Sequence, residues 1–188
     1  MKRTMAAMQD DIANTIPKLE LKESDSTACT VVIKENKIYT SNLGDSVAYL
    51  CEIDENGKTK PTSLNKKLDK PNETSEIQRI QNFLEQKKPK PSQEEIDEII
   101  NTMSNKDNPR LGGSKGIALT AALGDLGYDQ FGIKHVPDQI DVAEINIPKN
   151  GKAFVIVACD GLTERLSNVD IESSLQVDPK TITAQKRS

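Results

Sequence analysis

The chain has 188 residues, of which 29% are charged and 35% hydrophobic, a balance typical of a globular protein in water. Its net charge of -4 argues against a general nucleic-acid surface, which needs a basic excess. No apolar run approaches the roughly 18 residues that a membrane span needs, and no signal peptide is recognisable, so we expect a cytoplasmic protein. The length suits one domain over residues 1–188, with a core of aliphatic side chains because aromatic residues make up only 3%.

The first predicted elements are one helix and three strands. An apolar stripe at helical spacing predicts a helix that ends at Pro17. The stripe consists of Met1, Met5, Met8, Ile12 and Ile16. The period then changes, and β-branched residues predict strands over 28–33, 38–42 and 47–53. Their short connections favour antiparallel neighbours.

Two helices are predicted in the middle of the chain. The first carries apolar residues at Ile77, Ile80 and Leu84, and the second carries them at Ile96, Ile99, Ile100 and Met103. Ser92 and Glu95 have the spacing of a capping box at the start of the second helix. Residues 87–91 form a proline-broken linker between the helices, and residues 104–116 have the composition of a loop.

The last predicted elements are two strands and a helix. Residues 140–147 alternate as a half-buried strand, with a change of phase that indicates a bulge. Residues 153–159 are continuously apolar, which is typical of a central, buried strand. Ser167 and Asp170 can cap a final helix. This order of elements predicts an α+β fold.

Three carboxylates are candidate ligands of a hard cation. Asp160 follows the apolar strand and precedes Gly161, although on this feature alone a cap of the following turn and helix is the commoner explanation. Asp45 lies in the strand exit 42–46, which alone is typical of a β-turn. Glu164 comes four residues after Asp160 and can share its helix face, or it can simply lie favourably at the helix N-terminus.

Five segments in chain order resemble the motifs of the PPM (PP2C-like) family of metal-dependent Ser/Thr protein phosphatases. They are Ser24 to Ala28 (S-G-S-T-A in the family), Asn42 to Ser46 (N-x-G-D-S), Pro71, Glu76, Arg79 and Ile80 (P-x4-E-x2-R-I), Ala122 to Asp125 (A-L-G-D), and Ala158 to Glu164 (A-S-D-G-L-x-D/E). Val47 and Ala121 stand where the family usually has Arg, and Asp25 stands where it has Gly. The resemblance covers residues 24–168.

The resemblance implies an antiparallel β-sandwich flanked by helices, with a flap-like insert at about 71–116. It also implies bound Mg²⁺ or Mn²⁺ and hydrolysis of phosphoserine or phosphothreonine in protein substrates by a metal-activated water. By motif position, Asp160 matches a ligand of the main metal pair. Asp45 and Glu164 match carboxylates around a third, more weakly held metal. The resemblance assigns no further catalytic residue to this chain.

The family's D-G-H-G-G motif and its closing Asp-Asn are both absent, so we expect the family fold to be incomplete at both ends. Neither Asp10-Asp11 nor Asp107-Asn108 has the right setting to replace them. At least two carboxylates of the main metal site are therefore missing. Two alternatives stay open: a pseudophosphatase or regulatory binding module without catalysis, and a plain α+β interaction domain. The oligomeric state is also open.

The remaining reactive side chains are predicted to have ordinary roles. His135 is interpreted as a solvated loop histidine, with proton transfer as the alternative. The basic run of Lys87, Lys88 and Lys90 is interpreted as a solvated surface, with binding of a phosphorylated partner as the alternative. Three well-separated cysteines are expected to be reduced, buried thiols. They are Cys29, Cys51 and Cys159.

Overall fold

A computed structural model describes residues 1–16, 24–54, 57–65, 68–144, 152–163, 165, 167, 170 and 173. Within these residues the elements are α1 (Lys2–Thr15), β1 (Asp25–Ser26), β2 (Ala28–Lys34), β3 (Lys37–Leu43), β4 (Val47–Ile53), β5 (Thr59–Ser63), α2 (Thr74–Gln86), α3 (Gln93–Met103), β6 (Leu123–Gly124), a 3-10 helix (Leu126–Phe131), β7 (Asp141–Glu144), β8 (Lys152–Ala158) and α4 (Asp160–Thr163). The pairs β1–β6, β3–β7, β4–β5 and β4–β8 are antiparallel. The predicted α+β class with antiparallel sheets is confirmed.

The chain divides into two compact units. The first comprises Met1–Thr30, Ser41–Ser46 and Lys67–Ile140, and the second comprises Val31–Thr40, Val47–Lys66 and Asp141–Ser188. The first unit contains the helices α1, α2 and α3, and the second contains the sheet formed by β5, β4 and β8 in that order. The expectation of a single domain over 1–188 stays a prediction.

The core of the first unit lies between α2 and α3. Glu76, Ile80 and Leu84 recur every four residues on α2, so they share one helix face, and all three are buried. Their neighbours in this core are Ile96, Met103, Leu111, Ala122 and Ile133. Both helices lie where the apolar spacing predicted them.

The predicted capping box at the start of α3 is confirmed. The Ser92 hydroxyl accepts the Glu95 N–H at 3.2 Å, and the Glu95 carboxylate accepts the Ser92 N–H at 2.8 Å. The backbone and side-chain hydrogen bonds from Ser92 lower the pKa of Glu95 because they favour its charged form. The cap fixes the start of α3 after the proline-containing linker.

The first helix runs from Lys2 to Thr15, as its stripe predicted, and two of its residues bury their side chains. Met5 is 4% exposed, and Gln9 accepts the Gly124 N–H at 2.8 Å through its side-chain oxygen. Met8, from the predicted apolar stripe, is 46% exposed. The buried face of α1 is therefore displaced from the predicted stripe. It includes the polar residue Gln9, which is hydrogen-bonded to the backbone of β6.

The second unit is organised around β4. This strand pairs with β5 on one side and with β8 on the other, so that Cys51 lies opposite both Pro61 and Phe154. Its buried residues are Val47, Ala48, Leu50, Cys51 and Ile53. β5 was not predicted, because its T-K-P-T-S sequence has neither apolar alternation nor a continuous apolar run. Pro61 is tolerated because β5 is an edge strand of the described sheet.

The prediction that 153–159 forms a central, fully buried strand is wrong for the described residues. β8 lies at the edge of its three-stranded sheet, and Val157 is 49% exposed. β4 is the central strand of this sheet, because it pairs with both β5 and β8. The expectation of buried thiols also needs correction: Cys51 is buried, but Cys29 is half-buried and Cys159 is exposed. All three are free thiols, as expected.

The strand predicted over 140–147 is observed as Asp141–Glu144, while the phase change at Ile145 and Ile147 lies outside the described residues. Ser167 and Asp170 form the reciprocal hydrogen bonds of a helix cap, at 2.8 and 3.2 Å. Among the described helices, none combines the length and apolarity that crossing a bilayer requires.

Replacing Leu84 by Ala is expected to lower the free energy of unfolding by about 2–5 kcal/mol, because the side chain is 1% exposed and its loss leaves a cavity. Urea denaturation followed by circular dichroism measures the change. The control is Glu85→Ala, one residue further along the same helix and exposed, which should change stability by less than about 0.5 kcal/mol. Equal effects of the two substitutions would contradict the assigned core.

Candidate functional site

The Asn42–Ser46 segment is a buried turn. Gly44, Asp45 and Ser46 are all buried, and Gly44 has a φ of +98°, which a residue with a side chain rarely adopts. The Asn42 side-chain amide donates to the Gly44 carbonyl at 2.7 Å. The Asp45 side chain is only 9% exposed, and its carboxylate lies 3.9 Å from the Lys70 ammonium. The segment is thus a turn, as its sequence alone indicated, and residues 44–46 of that turn are buried.

Three of the sequence motifs meet at this turn. A Cβ atom added to Gly44 would lie 2.6 Å from the Thr27 side chain and 3.2 Å from the Ala121 carbonyl oxygen. The hydroxyl groups of Thr27 and Ser46 are hydrogen-bonded at 2.7 Å. Thr27 belongs to the S-T-A segment, and Ala121 immediately precedes the A-L-G-D segment. The structure therefore gives these motifs a shared physical role in enclosing Gly44.

Asp160 begins the short helix α4 and is exposed. One of its carboxylate oxygens accepts the Gly161 N–H at 2.7 Å. Asp160 and Asp45 belong to different compact units, and Glu164 lies outside the described residues. A common metal site formed by Asp160, Asp45 and Glu164 therefore stays a prediction.

A different acidic group is assembled in the first unit. Oxygens of Asp69, Glu76 and Asp138 lie within 4.8 Å of one another, and no other group of three or more candidate metal ligands was found among the described residues. The Lys134 ammonium lies among the three carboxylates, 2.7 Å from Asp69, 3.3 Å from Glu76 and 2.8 Å from Asp138. Lysine thus occupies the place that a cation would take in this group.

A second cation reinforces the same cluster from the other side of Glu76. The Arg79 guanidinium lies 2.8 Å from the Glu76 carboxylate, whose side chain is fully buried. It also donates to the carbonyl oxygens of Gly132, at 2.6 Å, and Thr120, at 3.2 Å. Buried carboxylates persist only when they are paired and hydrogen-bonded. Arg79 and Lys134 together meet that requirement for Glu76.

The protonation of Lys134 follows from these contacts. Burial alone would lower its pKa, but hydrogen bonds to Asp138 and Asp69 and the charges of Asp69 and Glu76 outweigh burial. The pKa of Lys134 is consequently raised above the ordinary lysine value. The ammonium form is therefore the one that the fold stabilises.

These residues also decide how well the described chain suits a divalent metal. Asp45 and Asp160 offer hard carboxylate oxygens, which Mg²⁺ and Mn²⁺ prefer, so their donor chemistry fits. The Asp69 group does not fit, because the Lys134 ammonium already lies at hydrogen-bonding distance from its carboxylates. A metal there would have to displace this ammonium, whose side chain is 12% exposed.

His135 is not the solvated loop histidine that was predicted. Its side chain is 18% exposed, and one ring nitrogen lies 2.6 Å from the Asp129 carboxylate. The other ring nitrogen lies 2.7 Å from the Ala122 carbonyl oxygen. Because both nitrogens face oxygen atoms of neighbouring segments, the ring fastens the 3-10 helix to the segment after it.

Sequence reasoning missed the roles of Asp69 and Lys134. The two residues are 65 positions apart, so no local spacing connects them. One signal was available for their partner: Glu76 has the same four-residue spacing as Ile80 and Leu84, which places it on the buried face of α2. A carboxylate on an apolar helix face needs a cationic partner from elsewhere in the fold.

Replacing Lys134 by Met is expected to destabilise the chain by about 3–5 kcal/mol at neutral pH, because Asp69 and Glu76 would be left buried without their shared cation. Chemical denaturation measures the loss. The matched control is Lys115→Met, an exposed lysine, which should remain within about 0.5 kcal/mol of the unsubstituted chain. A Lys134→Met protein as stable as this control would show that the cluster does not stabilise the fold.

The stabilisation by Lys134 should depend on pH in one direction. Its folded pKa is raised, so the contribution is fully present below the unfolded lysine pKa of about 10.4 and is lost as pH rises through the folded pKa. The stability difference between the unsubstituted chain and Lys134→Met should therefore be constant from neutral pH to about pH 10 and shrink above it. Denaturation curves at a series of alkaline pH values measure this, and a difference that grows with pH would contradict the assignment.

Comparisons with known proteins agree with the motifs. Probable protein phosphatase 2C 2 of Paramecium tetraurelia is 28% identical over 150 residues, which are 77% of this chain and 41% of that protein. The chain therefore spans well under half the length of this relative.

Solved structures show the same fold. A C. elegans sex determining protein superposes with a TM-score of 0.64 at 18% identity, covering 92% of this chain and 36% of that one. The serine-threonine phosphatase 2C from Toxoplasma gondii superposes with a TM-score of 0.60 at 16% identity, covering 90% of this chain and 52% of that one. A sequence model of the Protein phosphatase 2C family matches residues 1–174. Since that match includes nearly the whole sequence, the chain belongs to the Protein phosphatase 2C family.

Proposed function

We propose that this chain is a truncated or degenerate metal-dependent protein Ser/Thr phosphatase, acting on phosphoserine and phosphothreonine in proteins. The observation that supports this most strongly is the family match over residues 1–174, together with the convergence of Thr27, Gly44 and Ala121 at the Asp45 turn. The proposed compartment is the cytoplasm, which suits the free cysteines.

In this proposal Asp160, Asp45 and Glu164 hold Mg²⁺ or Mn²⁺. When bound, such an ion supplies an activated water and neutralises charge on the phosphoryl oxygens. The chain's own part is to present carboxylate oxygens in fixed positions. Exposed Asp160 can receive an ion directly from solvent, whereas Asp45 presents a carboxylate whose backbone is held by the buried turn.

The alternative is a pseudophosphatase or regulatory binding module. In that case the fold would bind a partner without hydrolysing phosphate, and the one acidic group with the crowding of metal ligands among the described residues already holds the Lys134 ammonium. These 188 residues contain no D-G-H-G-G segment, so we expect them alone to turn over a phosphopeptide weakly or not at all. Metal-dependent release of phosphate at a robust rate would reject the alternative.

Replacing Asp160 by Asn is expected to weaken Mn²⁺ binding by roughly tenfold or more, because it removes a charged oxygen ligand without changing the size of the side chain. Isothermal titration calorimetry with the full chain measures the affinity, which should be on the order of millimolar or tighter before substitution. Asp97→Asn on the exposed face of α3 is the control, since it removes the same charge away from the site. Equal Mn²⁺ affinities of all three proteins would reject Asp160 as a ligand.

A further inference from the structure

We propose that Asp69 is a positioning residue: it fixes the backbone of the Gly44–Asp45 turn and thereby sets where the Asp45 carboxylate lies. This inference rests on the proposed function of Asp45 as a cation ligand. It assigns a role to a residue that does not itself contact the cation.

Two hydrogen bonds join Asp69 to Gly44. The Asp69 carboxylate accepts the Gly44 N–H at 3.1 Å through Oδ2, and the Asp69 N–H donates to the Gly44 carbonyl at 3.1 Å. Paired bonds in both directions fix the orientation of the Gly44 peptide as well as its distance. Asp69 is 6% exposed, so water competes little for these bonds.

Asp69 is itself immobilised. Its other carboxylate oxygen, Oδ1, lies 2.7 Å from the Lys134 ammonium, and its carbonyl accepts the Thr120 N–H at 2.9 Å. The two carboxylate oxygens therefore have different partners: Oδ1 contacts the Lys134 ammonium, and Oδ2 accepts the Gly44 N–H. Rotation of the carboxylate would break its ion pair with Lys134, so this contact holds Oδ2 towards the Gly44 N–H.

Neighbouring groups leave the Gly44 backbone little room to shift if its bonds to Asp69 are lost. The Thr27 side chain and the Ala121 carbonyl close the space beside Gly44. The residue after Asp69, Lys70, places its ammonium 3.9 Å from the Asp45 carboxylate. Because oxygen ligands must be held within about 0.5 Å to bind a metal well, a clamp on the adjacent peptide matters for affinity.

Hydrogen exchange of the Gly44 amide, measured by NMR on the full chain, tests the clamp. In Asp69→Asn the side chain offers one oxygen for two partners. The Lys134 ammonium should take that oxygen because charge-assisted bonds are stronger, which leaves an NH₂ facing the Gly44 N–H. We expect Gly44 to be protected in the unsubstituted chain and to exchange at least roughly tenfold faster in Asp69→Asn, a loss of about 1.4 kcal/mol.

The matched control is Asp138→Asn. It is the same chemical change at another partner of Lys134, but no hydrogen bond joins Asp138 to Gly44 in the described structure. Gly44 protection should be unchanged in this control. A Gly44 amide that exchanges at open-loop rates in the unsubstituted chain overturns the proposal even if Asp69→Asn does not fold. Equal protection in Asp69→Asn and the unsubstituted chain also overturns it.

Mn²⁺ binding, followed by the electron paramagnetic resonance signal of the free ion, tests the consequence. Asp69→Asn should weaken binding by about 10–100-fold, as loss of a residue behind a metal ligand typically does, while Asp138→Asn should not. If Asp45→Asn leaves Mn²⁺ binding unchanged, the proposed ligand role of Asp45 fails, whatever the exchange data show. If Asp45→Asn weakens binding but Asp69→Asn does not, the positioning role fails and the ligand role stands.

Discussion

One ammonium group, that of Lys134, makes the arrangement of the first unit possible. Asp69 and Glu76 are both almost inaccessible to solvent, and Lys134 contacts both. Removing this cation would leave Asp69 buried without the ion pair and would leave Glu76 with Arg79 alone. Asp69 lies in the segment before α2, Glu76 lies in α2 itself, and Lys134 forms an isolated parallel β-bridge with Ala121. The requirement to neutralise the two carboxylates therefore ties together segments that are distant in sequence.

The same ion pair also bears on the turn that contains Gly44 and Asp45. Asp69 has one oxygen on Lys134 and one on Gly44, so the ion pair and the turn share a single carboxylate. Thr27 and Ala121 close the turn by packing rather than by charge. Family motifs are usually interpreted through the residues that touch a substrate, but here several of them act by holding one peptide in place.

Sequence patterns predicted the elements whose burial repeats with a simple period. Apolar stripes predicted α2 and α3, and the Ser92 capping box predicted where α3 begins. Runs of β-branched residues predicted β2, β3 and β4. Sequence patterns failed for β5, whose side chains carry no apolar pattern. They also failed for the edge position of β8, which depends on the neighbouring strands rather than on the residues of β8. Contacts such as that of Asp69 with Lys134 lie beyond any local pattern, because they form only when the fold is complete.

The positions of nearby cations also distinguish an acidic cluster that is already ion-paired from one that could hold a metal, a distinction that composition alone does not give. Asp69, Glu76 and Asp138 have the crowding expected of metal ligands, yet Lys134 and Arg79 already lie within 4 Å of them. A divalent ion entering this group would have to expel an ammonium whose pKa the group itself raises, so the fold opposes the exchange. The Asp45 turn differs because the Lys70 ammonium is 3.9 Å from the Asp45 carboxylate and its side chain is one-third exposed, whereas the Lys134 ammonium is 2.7 Å from Asp69 and its side chain is 12% exposed. Within the first unit, metal chemistry is therefore more compatible with the turn that the cluster supports than with the cluster itself.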